Sequence, residues 1–243
     1  MKKILKTLKE KWAEYILEIL VIIIGIIAAF MLNSWHEDRK DHKEETIILT
    51  NLMEDLKDDV EGFNESLKWL SFRKAHVDSI LWIIENPKIP VNHPKLVHWL
   101  ITSGYILDYT PVFPTYSEIV GSGKLSLIQS MEIKKALAEY QSDFINDLRI
   151  FSSYDEGIKK IELKAMSYID GRPIGQFFYD DFDSLNSQLS IDLISLRKDK
   201  ELIGLLKHNA YHTQVEMNMK LLDYIPAADA LIQNIQQEID SRK

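Results

Sequence analysis

Apolar residues run without interruption from Ile19 to Leu32, fourteen positions. Alone, that length suits a buried helix or a signal-peptide core, because a bilayer crossing takes about 20 residues. The flanks lengthen it. Tyr15, Ile16 and Leu17 extend the apolar stretch backwards across Glu18, and Trp12 and Trp35 stand where interfacial aromatic residues belong. Trp12 to Trp35 spans about 35 Å of helix, slightly more than a hydrocarbon core. The strongest apolar residues favour insertion by roughly 3 to 6 kcal/mol, against about 3 for one central charge and less for the off-centre Glu18. The pattern therefore predicts a transmembrane helix over 12–35. Ala28 and Ala29 are small, as at a signal-peptide cleavage site, but no clear A-x-A follows and the helical pattern continues through Asn33 into His36.

Beyond the span, Leu49, Leu52, Leu56, Val60, Phe63, Leu67, Leu70, Val77, Leu81 and Ile84 alternate at threes and fours, except around Lys74. That spacing predicts one long amphipathic helix ending at Asn86, Pro87 and Pro90. Its first turns are polar, giving a solvated stalk over 36–46 and a bundle that starts at 47 and runs to 243. Pro94 opens a short helix reaching Ser103, and Gly104, Pro111 and Pro114 mark an irregular segment. Ser130 is an N-cap for a third element extending to about Ile169, and Asp199 for the last helix, which Pro226 kinks. The fold class is all-α: a transmembrane helix continuing into an antiparallel bundle of long helices with short connecting helices and no substantial sheet.

Charge orients the chain. Lys2, Lys3, Lys6, Lys9 and Lys11 precede the span, whereas Arg39, Lys40 and Lys43 after it are diluted by five acidic residues. The lysine excess predicts a cytoplasmic basic tail at 1–11 and an extracytoplasmic bundle. A net charge of -8 argues against nucleic-acid binding, and the absence of cysteine removes thiol catalysis, disulfides and thiolate metal sites.

Along the predicted span, Glu14, Glu18, Gly25 and Ala29 fall on one stripe. The small pair lets two backbones approach, and a carboxyl on that stripe is kept most cheaply against another protein helix. Three readings stand: association with a second copy or a partner's membrane helix, an ion relay at Glu18, or two glutamates snorkelling to cytoplasmic headgroups. In the bundle, His208, His212 and Glu216 sit at i, i+4 and i+8, a spacing that can ligate a divalent metal, but a complementary carboxylate–histidine set is not evident. A helix face without metal is the default, and no cofactor is expected. Asp180, Asp181 and Asp183 lie among Phe177, Phe178, Tyr179 and Phe182 without a calcium-loop pattern. No catalytic motif is present, so no catalytic residue is assigned and the protein is expected not to be an enzyme. Thr115 to Gln129, TYSEIVGSGKLSLIQ, reads as a short helix capped by Thr115, broken at Gly121 and Gly123, then an apolar turn. It is a packing corner or a contact surface, with Thr115, Tyr116, Glu118, Gly121 and Gly123 as the contact residues.

Two stretches, YILEILVIIIGIIAAFMLNSWHE from Tyr15 and TYSEIVGSGKLSLI from Thr115, resemble an uncharacterised family of single-pass membrane proteins common in Bacteroidota, domain-of-unknown-function family 6090. Tyr15, Glu18, Gly25, Ile26, Asn33, Trp35 and Glu37 match its membrane-helix pattern; Ser34 and His36 replace frequent asparagines. The resemblance implies a diderm cell, hence an inner-membrane anchor and a periplasmic domain, and supplies no activity. The leading expectation is a non-enzymatic interaction or scaffold protein that binds a membrane-protein partner or copies of itself. A ligand-sensing bundle, a small ion-coupled subunit using Glu18 and a metal enzyme using His208 and His212 follow in that order.

Overall fold

The apolar run and the amphipathic repeat fold as one uninterrupted helix, α1 (Trp12–Glu85), about 110 Å long at the ordinary helical rise. The structure, a computed structural model, describes residues 12–106, 109–172 and 186–242. Residues 16–43 are exposed throughout, so α1 projects from the bundle by about 40 Å before it meets any core. It is the one helix among the described residues long and apolar enough to cross a membrane.

Among the described residues the remaining helices are α2 (His93–Thr102), α3 (Pro114–Gly121), α4 (Met131–Met166), α5 (Leu193–Leu196), α6 (Lys200–Met219) and α7 (Ile225–Asp240). Their starts follow local chemistry. The side chain of Asn92 accepts from Lys95 N–H ahead of Pro94, Ser130 from Ile133 N–H, and Asp199 from Glu201 and Leu202 N–H. Pro226 has no N–H for the carbonyl four residues back. The chain answers with a π-helical turn, Lys220–Tyr224, in which Ile225 N–H reaches Lys220 O. Among the described residues, strand is confined to an antiparallel pair, Ile169–Asp170 (β1) with Ser190–Ile191 (β2).

Contacts fix the directions. Going up α1, Glu45 meets Arg242, Phe63 stacks on Tyr224 and Arg73 meets Glu216, so α6 and α7 descend antiparallel to α1. α4 rises parallel to α1: Gln129 N–H binds Glu45, Tyr140 binds Asp59 and Phe144 packs on Phe63. The antiparallel arrangement expected from sequence thus holds for the last helix against the other two. The parallel pair is possible because the chain from Tyr109 to Ser130 runs down the side of α1, with Tyr109 on Asp59, Thr115 on Asp55 and Lys124 on Glu44. Gly62 is required for that return. A Cβ there would lie 2.3 Å from the Tyr109 ring.

The core comes in two apolar halves. The stalk-side half gathers Leu49, Leu52, Leu56, Phe63, Ile128, Phe144, Tyr224 and Leu231. The distal half gathers Val77, Ile80, Leu96, Leu100, Ile161, Leu202 and Leu206. Between them, Ser66, Arg73, Asn209, Thr213 and Lys220 are buried and polar. At the end of the stalk Glu45 is fully buried and Ile48 opens the core, whereas Ile47 faces solvent.

Candidate functional site

The projecting part of α1 is the feature that the bundle does not explain. Ile19 to Leu32 is exposed over its whole length, and an added Cβ at Gly25 would meet nothing within 4 Å. In water this is an unusually large apolar surface for a fold whose other helices bury theirs. Glu18, Gly25 and Ala29 are all exposed on it. The side chain of Glu14, the tail at 1–11 and the acidic group Asp180, Asp181 and Asp183 lie outside the described residues.

The junction of stalk and bundle is held by charge. Arg242 grips the Glu45 carboxylate with both terminal nitrogens, Nη2 at 2.9 Å, and also holds Glu238. Gln129 N–H donates to Glu45 Oε1 at 2.6 Å. The two carboxylates bonded to Arg242 push its guanidinium further above its ordinary range, Glu45 first. About three turns along α1, Asp55 accepts from Thr115 N–H at 2.9 Å.

That last contact corrects the sequence reading of the corner. Thr115 is not the cap of α3. Phe113 occupies the cap position at φ 51 with no side-chain cap bond, and Asp55 of α1 serves the helix start instead. Gly121 is helical, while Gly123 takes the left-handed conformation at φ 74 and starts a 3-10 turn, Lys124–Leu127. Ile119 and Ile128 are buried in the stalk-side core, Thr115 and Tyr116 are half-buried, and Glu118 and the glycines are exposed. The corner packs α3 against α1 and leaves one polar edge outward.

Behind it, Asp59 is 5% exposed and accepts from Tyr109 at 2.8 Å and Tyr140 at 3.1 Å. Burial raises its carboxyl above the usual range, opposed by the two tyrosine bonds; burial and Asp59 together push both phenols up. Neither tyrosine is poised to act as an acid or base near neutrality.

The proposed metal ligands do not converge. His208 and His212 are neighbours at 4.1 Å between ring centroids, with Tyr154 stacked on His212 at 3.6 Å. Glu216 belongs instead to the polar layer. Its oxygens accept from Arg73 at 3.0 Å and Lys220 at 3.2 Å, and both cations are buried. A carboxylate held by two cations is a poor ligand for a third. Burial, then the charge of His208, lowers the His212 imidazole. Among the described residues no group of three or more histidines or carboxylates could hold a metal ion.

The polar layer is what sequence reasoning missed. Arg73 Nε donates to Thr213 at 3.1 Å, Thr213 to Asn209 at 3.0 Å, and Asn209 to Ser103 O at 2.7 Å. A signal existed in the gap in the apolar repeat between Leu70 and Val77, where Arg73 sits. Such a layer fixes the vertical register of α1, α2 and α6, because sliding any of them would strand a buried polar group.

No curated protein and no solved structure matches the chain. A helical bundle on an apolar helix, with the two sequence blocks at the span and the α3 corner, has a match at the level of a family, covering residues 18–200 and well over half the length. The chain belongs to that family of unknown function, DUF6090.

Proposed function

We propose that this chain is a single-pass membrane protein, its lysine-rich tail cytoplasmic and its helical bundle on the far side of an inner membrane, where it acts as a non-enzymatic interaction or scaffold protein. The observation that carries the reading is the uncovered apolar length of α1, from Ile19 to Leu32, beside a bundle that fills its own core from Ile48 onward. A bilayer is the solvent that such a helix requires. The stripe of Glu18, Gly25 and Ala29, with Glu14 one turn before, is the surface by which a second copy or a partner's membrane helix would dock. The bundle itself supports binding more than chemistry. Among the described residues, buried Glu45, Asp59, Arg73 and Lys220 are each tied into a pair or network with another ionisable side chain.

Membranes washed with alkaline carbonate should retain the protein, and protease added outside spheroplasts should digest the bundle. Crosslinking in mild detergent should capture a multimer or a membrane-protein partner, and Gly25→Leu with Ala29→Leu should abolish that capture without releasing the protein from membranes. Release by carbonate, or a bundle resistant to external protease that becomes sensitive on lysis, would overturn the reading.

A further inference from the structure

Where α1 leaves its apolar stretch, two cations share a face with Trp35. At about 100° per residue, Trp35, Arg39, His42 and Thr46 lie on one face with Lys43 and Asp38 at its two borders, while Glu37, Asp41 and Glu44 take the opposite one beside Lys40. Arg242, anchored by Glu45 and Glu238, closes the basic face from the side and makes it a cleft of about 660 Å³. The Arg39 guanidinium lies 5.7 Å from the Trp35 ring. Among the described residues, no carboxylate forms an ion pair with Arg39 or Lys43, although Asp38 lines the rim.

Below this cleft, and sharing Trp35 and Asp38 with it, is a shallow apolar furrow along the surface of α1 alone, formed by Ile26, Ile27, Phe30 and Met31. The two are stacked in the order that a phospholipid requires, hydrocarbon below and anion above. From Trp35, Arg39 lies about 6 Å further along the axis, within a headgroup region about 5 to 8 Å deep, whereas Lys43, about 12 Å along, stands just outside it and meets the phosphate from the water side.

We propose that this cleft and furrow bind one anionic phospholipid, its phosphate held by Arg39 and Lys43 under the edge formed by Arg242, and an acyl chain lying along Ile27 and Met31. The inference rests on the membrane reading above and adds a ligand to it. The lipid fills the seam between stalk and bundle, and so fixes the angle at which the bundle stands on the membrane.

Full-length protein in mild detergent is titrated with phosphatidylglycerol, phosphatidylcholine or inorganic phosphate, and bound lipid is counted by native mass spectrometry. One phosphatidylglycerol should bind in preference to phosphatidylcholine, and inorganic phosphate should not displace it. Arg39→Gln and Lys43→Gln should each weaken that binding about fivefold, whereas Glu37→Gln on the opposite face should not weaken it. Circular dichroism of each variant should match the parent, since both basic residues are exposed. Equal binding of the two lipids, displacement by phosphate, or undiminished binding in the Arg39→Gln, Lys43→Gln double variant overturns the lipid site. Release of the parent protein from carbonate-washed membranes overturns the membrane reading instead, so the two failures are separable.

Discussion

Replacing His76 by glutamine should flatten the acid limb of the bundle's stability. His76 is 8% exposed, with the Phe72 ring centred 3.9 Å away and the rings of His98 and Trp99 at 5.6 and 5.7 Å. The Thr102 hydroxyl donates to His98 O at 2.8 Å, so it accepts from His76 Nδ1 at 2.9 Å and the neutral ring carries its proton there. A second proton would have to enter at Nε2, among aromatic rings. Burial first, then the nearby His98 and Lys95, lowers the imidazole from 6.5 to about 4. The native state therefore binds fewer protons than the unfolded chain between those values. Its contribution is complete above about pH 6.5 and is lost as the pH falls through about 4, worth about 3 kcal/mol in all. Urea unfolding of the full chain in mild detergent, followed by circular dichroism from pH 7.5 to 4, reads this directly. The stability difference between parent and His76→Gln should narrow by about 3 kcal/mol over that range, with the titrating groups that do not face His76 cancelling in the subtraction. Parallel curves for the two proteins would refute the assignment.

Glu216→Gln should cost about 3 kcal/mol in the same unfolding assay, because Arg73 and Lys220 stay buried without their carboxylate; a loss under 1 kcal/mol would mean that the layer does not hold the bundle. Gly62→Ala drives a Cβ into the Tyr109 ring and should destabilise by about 1 to 3 kcal/mol, with Tyr109→Ala in the same chain suppressing the effect. Asp55→Ala removes the bond to Thr115 N–H and should cost about 1 kcal/mol, and hydrogen exchange should quicken at α3 before it does elsewhere.

How much was legible depended on whether a feature is local. The caps at Ser130 and Asp199 and the stop after Glu85 depend on residues within one helical turn, and the sequence states them. Asp55 and Thr115 are sixty positions apart, so the local pattern points to Thr115, the nearest hydroxyl, and cannot show that Asp55 serves the start of α3. Glu45 reads as stalk because its neighbours are polar; only the arrival of Arg242 and Gln129 makes its burial affordable. Glu216 carries metal-ligand spacing relative to His208 and His212, but its oxygens are taken by cations, one of them on α1.

The sequence by itself determined the all-helical class, the long first helix, its uncovered apolar length and most helix ends, because periodicity, hydropathy and capping are written in short windows of chain. Tertiary structure alone decided that α1 and α4 run parallel, that a polar layer divides the core, and that Arg242 closes a cleft beside the stalk. Each of those joins residues far apart in sequence, and their placement follows from which faces can be buried together without leaving a charge or an N–H unpaired.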